Sequence, residues 1–93
     1  MVVGVLQMRL MLRDARSLKD KRRIVRSLRD RIRNRFNVSV AEVDGLDRRQ
    51  QTVLGIAMAT NDRVFADQVL AKIVDLVRAA PGADLVDYET EIL

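Results

Sequence analysis

Ninety-three residues carrying a net charge of +4 set the scale of one small domain, residues 1–93. Cys and His are both absent, which removes disulfides, thiol nucleophiles, the common zinc sites and Ser-His-Asp catalysis. No apolar run approaches the ~20 residues of a membrane span, and no signal peptide opens the chain, so a cytoplasmic protein is expected.

The first element is a strand. Residues 2–13, VVGVLQMRLMLR, alternate: Leu6, Met8, Leu10 and Leu12 share one face, and Val3, Val5, Gln7, Arg9, Met11 and Arg13 share the other. Asp14, Ala15 and Arg16 turn out of it. Ser17 is a candidate N-cap, because its hydroxyl can accept from a first-turn amide. In the helix that follows, Ile24, Val25, Leu28 and Ile32 gather on one side, with Leu18 at the margin. Lys19, Arg22, Arg26, Arg29 and Arg33 lie around the other. Lys21 and Arg35 point nearer the apolar side, but near helix ends a long side chain can reach out to water.

Charge is concentrated in this region. Residues 9–35 hold twelve of the seventeen Lys and Arg residues against only Asp14, Asp20 and Asp30. The rest of the chain has five basic residues and ten acidic ones.

Phe36–Asp44, FNVSVAEVD, reads as the second strand, with Phe36, Val38, Val40 and an awkward Glu42 on one face. A bulge or strand end near Glu42 resolves the conflict. Residues 45–50 read as a polar hairpin loop. Residues 51–60 form the third strand, with Leu54, Ile56 and Met58 inward and Val53, Gly55, Ala57 and Ala59 outward. Asn61 or Asp62 caps a second helix running to about Ala80, whose buried stripe is Phe65, Val69, Ile73, Leu76 and Val77. Pro81 and Gly82 stop it. Residues 84–92 form a last strand with Val86, Tyr88 and Ile92 on one face and Leu85, Asp87, Glu89 and Glu91 on the other.

The order is β-α-β-β-α-β. Right-handed crossovers put both helices on one face of a four-stranded antiparallel sheet, an α+β ferredoxin-like sandwich. The blocks Ser17-Leu18-Lys19-Asp20-Lys21-Arg22 and Phe36–Asp44, with Leu54-Gly55 and Asn61-Asp62, resemble the YlxP-like family of bacterial proteins, domain of unknown function 503. The resemblance spans nearly the whole chain and implies the same ferredoxin-like fold. It also implies work near RNA or the ribosome, because genes of the family often neighbour transcription and translation factors. Family members often carry an aromatic residue where Arg49 stands, so the loop here is more basic.

Three functional readings follow. In the first, a non-enzymatic accessory factor binds RNA or a ribosomal particle, with Arg16, Ser17, Lys19, Lys21, Arg22, Arg23, Arg26, Arg29 and Arg33 meeting phosphates. In the second, the open sheet face is a homodimer interface formed by Val3, Val5, Met11, Val43, Val53, Ala57 and Ala59. In the third, a small anion docks at Ser17–Lys21. Base stacking on the sheet is not expected, because the only aromatics, Phe36, Phe65 and Tyr88, are all assigned inward. Arg9 and Arg13 are expected to pair with Asp87, Glu89 or Glu91 across the sheet. The connection RDARS lacks the glycine-lined phosphate cradle of the acylphosphatases, which share the fold. No enzyme activity, cofactor or metal is expected.

Overall fold

The computed structural model describes residues 1–93. Its elements are β1 (Val2–Met11), α1 (Leu18–Arg35), β2 (Ser39–Asp44), β3 (Gln51–Thr60), α2 (Arg63–Arg78) and β4 (Asp84–Ile92). The sheet order is β2-β3-β1-β4, and every neighbouring pair is antiparallel. This is the ferredoxin-like α+β sandwich. The 21 buried apolar side chains of both helices and the inward sheet face form one cluster. The other sheet face has no layer over it.

Alternation in β1 does what period-2 patterning requires. Leu6, Met8, Leu10 and Leu12 are fully buried. Their neighbours in β3, Ile56, Leu54 and Thr52, pair with Leu6, Met8 and Leu10. Helix α1 begins as its sequence predicts. The Ser17 hydroxyl accepts from the Asp20 amide at 3.1 Å, and Asp20 reaches back to accept from the Arg16 amide at 3.1 Å.

Phe36 ends α1 rather than starting β2. Its amide donates to the Ile32 carbonyl at 2.9 Å, the last helical bond, while its own backbone is extended. The second strand therefore begins at Ser39. The expected bulge is present: the register between β2 and β3 slips between Glu42 and Asp44, with Val43 as the extra residue. Val43 lies over Gly55, where an added Cβ would meet Val43 Cγ1 at 2.8 Å. Gly45 opens the hairpin loop with φ +74°, a conformation that costs glycine least.

Two sequence assignments shift. In α2 the buried residues are Ala66, Val69, Leu70, Ile73, Val74, Leu76 and Val77, and Phe65 is half exposed. The stripe is rotated towards Ala66 and Leu70, small and flexible enough to close on the backbone at Gly4. In β4 a second bulge at Val86 changes the phase: Leu85 pairs with Leu10, whereas Asp87 pairs with Arg9. Leu85 thus faces the helices and Val86 is exposed. Tyr88, opposite Met8, points to the helix side but at an edge strand, so its ring stays 41% exposed beside the Arg78 guanidinium.

Candidate functional site

Amphipathic spacing turns one side of α1 to the core and leaves the cations outside. Val25, Leu28 and Ile32 are buried. Arg16, Ser17, Lys19, Arg22, Arg23, Arg26 and Arg33 are exposed, and Arg29 is half-buried with its Nε enclosed and unpartnered. Arg22, Arg26, Arg29 and Arg33 follow the i, i+4, i+7, i+11 rhythm of one helical face, a row about 16 Å long. Arg23 pairs with Asp20 at 3.4 Å. No carboxylate lies within 4.0 Å of the charged atoms of Lys19, Arg22, Arg26, Arg29 or Arg33. Their charge is uncompensated, and that of Lys19, Arg22, Arg26 and Arg33 faces solvent.

Lys21 is a correction to the expected phosphate contacts. Its side chain has no solvent exposure. Position 21 lies one turn before Val25 on the buried face, so its stem runs beneath the β2–β3 hairpin rather than out to water. The ammonium forms an ion pair with Glu42 Oε2 at 2.7 Å and donates hydrogen bonds to the Gly45 carbonyl and to the Leu46 carbonyl at 3.3 Å. The charge is thus met by a carboxylate and two carbonyl oxygens inside the fold. Glu42 Oε2 also accepts from the Thr52 hydroxyl at 2.6 Å. The inward-facing Glu42 is therefore the partner of the inward-facing Lys21. Ser17 accepts in the helix cap through its oxygen, which leaves its hydroxyl hydrogen to donate.

The loop closed by this latch, Gly45–Gln50, is fastened a second time. The Gln50 carboxamide donates to the carbonyls of Arg13 at 3.1 Å and Ala15 at 3.4 Å. Arg49 Nη1 donates to the Arg16 carbonyl at 3.5 Å. The hairpin loop and the start of α1 thus form one end of the molecule.

The open sheet face gathers Val3, Val5, Met11, Val43, Val53, Ala57 and Ala59, all at outward register positions. A shallow apolar depression of about 290 Å³ lies there, bounded by Val5, Val43, Gly55 and Ala57. Arg9 pairs with Asp87, as expected, and Arg13 pairs with Asp84 rather than with the acids assigned to it. No aromatic ring stands on this face. Phe65 and Tyr88, expected inward, are 50% and 41% exposed at other places.

The family model described as "Protein of unknown function (DUF503)" matches residues 3–90. The chain belongs to the DUF503 family. It is 30% identical over 90 residues to a Bacillus subtilis (strain 168) protein described as "Uncharacterized protein YlxP", with 97% of this chain and 98% of that protein covered.

In this DUF503 chain, Lys21 and Glu42 both lie inside the matched segment and join two blocks distant in sequence. Glu42, Thr52, Arg48, Arg49 and Gln50 belong to the site's architecture and were not among the sequence candidates. The signal for Glu42 was its place on an inward face, a mismatch that an inward lysine satisfies. The loop residues gave no such signal, because Arg49 and Gln50 tie to backbone carbonyls and Arg48 to the neighbouring Gln51 side chain. No helix is long and apolar enough to cross a membrane, and no cluster of three or more carboxylates could hold a metal ion.

Proposed function

We propose that this protein is a non-enzymatic accessory factor that binds RNA or a ribosomal particle through the cationic face of α1. The observation that carries this reading is the row Arg22, Arg26, Arg29 and Arg33, with Lys19, free of any ion-pairing carboxylate. Guanidinium groups fork onto phosphate oxygens, and each phosphate neutralised releases counterions. The bare sheet lacks stacking rings, so the surface supplies affinity for a backbone rather than recognition of bases.

A filter-binding titration against structured RNA at two salt concentrations tests it. Saturable binding at low salt is expected. Replacing Lys19, Arg22, Arg26 and Arg29 by Gln removes about four phosphate contacts, which shrinks the affinity drop between 50 and 200 mM salt on the order of 10²-fold. Binding indifferent to those four substitutions refutes the reading.

A second reading rests on a separate observation: the small apolar side chains and the depression over Gly55 on the uncovered sheet face. Here two copies meet through that face. Sedimentation of a strict monomer at high concentration removes it. The small-anion reading loses one of its supports, since Lys21 is committed within the fold.

A further inference from the structure

The hairpin loop carries two arginines that the α1 reading does not use. Arg48 and Arg49 are exposed, and neither has a carboxylate partner. The Arg48 guanidinium bonds only the Gln51 side chain, at 2.9 Å. Arg49 touches the backbone of Arg16, just before the α1 cap. A loop of six residues with two long cations ordinarily wanders. This one is held from three sides: Lys21 grips the Gly45 and Leu46 carbonyls from inside, Gln50 ties to Arg13 and Ala15, and Arg49 ties to Arg16. The acids at this end that carry no ion pair, Asp14, Asp44 and Asp47, are outnumbered by Arg16, Lys19, Arg48 and Arg49.

We propose that the β2–β3 loop is a second phosphate-contacting arm, set beside α1 by the buried Lys21, and that the two arms together fit the backbone of double-helical RNA. This rests on the α1 reading. Two rigid cationic elements of fixed separation match phosphates whose spacing is itself fixed. A single strand offers no such spacing, and the stacking rings that would compensate are absent from this surface. Lys21 touches no ligand; it is a positioning residue that spares the loop an ordering cost on binding.

The test compares salt dependence of binding to an RNA hairpin and to an unstructured strand of the same length. Arg48→Gln/Arg49→Gln removes about two phosphate contacts. The wild-type chain is then expected to lose roughly tenfold more affinity for the hairpin between 50 and 200 mM salt than the loop variant does. Lys21→Met is expected to reproduce most of that change, and adding it to the loop variant to change little more. Gln50→Ala, which cuts a surface tie without disturbing the core, gives the same reading if Lys21→Met fails to fold. An unchanged salt dependence in the loop variant, with the α1 variant impaired, overturns the second arm and leaves the α1 reading standing. Tighter binding to the unstructured strand overturns the duplex assignment. No saturable binding by the wild-type chain overturns the α1 reading itself.

Discussion

Replacing Lys21 by Met tests the latch most directly. The methionine fills nearly the same volume but donates nothing. It leaves the Glu42 carboxylate with only the Thr52 hydroxyl, and the Gly45 and Leu46 carbonyls without their donor. Removing one partner of a buried ion pair costs about 3–5 kcal/mol, because the other charge stays desolvated. Glu42 is 18% exposed, which lets water relieve part of that, so the lower end of the range, about 3 kcal/mol, is expected. A domain of 93 residues has roughly 5–14 kcal/mol in total. The loss is therefore visible as a fall in Tm of roughly 12–25 °C, read by far-ultraviolet circular dichroism. The decisive measurement is the double variant Lys21→Met/Glu42→Leu. With both charges gone, the charge part of the penalty disappears, and what remains is about 1 kcal/mol each for the abandoned Thr52 hydroxyl and for the carbonyls left without a donor. A single variant costing under about 1 kcal/mol, or a double variant whose losses simply add, refutes the latch and returns Lys21 to the surface as a free cation.

Smaller perturbations separate the parts of the fold. Gly55→Ala places a Cβ against Val43 and is expected to cost about 1–3 kcal/mol in urea melts, with Val43→Ala restoring most of it. Ser17→Ala removes the α1 cap and is expected to cost about 1 kcal/mol, a shift of roughly 4–8 °C in Tm. Arg9→Ala breaks an ion pair whose two side chains are 57% and 58% exposed, so its melting curve should overlay the wild type within about 0.5 kcal/mol. If the sheet face is the interface of a dimer, Ala57→Glu is expected to leave a monomer in sedimentation and to remove the dependence of the melting temperature on protein concentration.

The limits of the sequence lie where a periodicity is interrupted or a charge is counted without its partner. Strand β1 and strand β3 were legible face by face, because unbroken alternation fixes which side chains turn inward. Strand β4 was not, because one bulge residue, Val86, reverses the phase on its far side, and nothing in DLVDYETEI marks the place. The charge of residues 9–35 misleads in the other direction. It overstates the free cations, since Lys21 is spent on Glu42 and two carbonyls, Arg9 on Asp87, Arg13 on Asp84 and Arg23 on Asp20. It also understates where they lie, since Arg48 and Arg49 come from outside that stretch. Yet the Lys21–Glu42 pair was present in the pattern as two separate faults: a cation on the buried side of a helix and an anion on the buried side of a strand. Each alone has a local explanation, a lysine reaching out to water and a bulge or strand end at Glu42. Taken together, charges of opposite sign on facing inner surfaces predict each other, because burying either one unpaired costs more than the fold can offset.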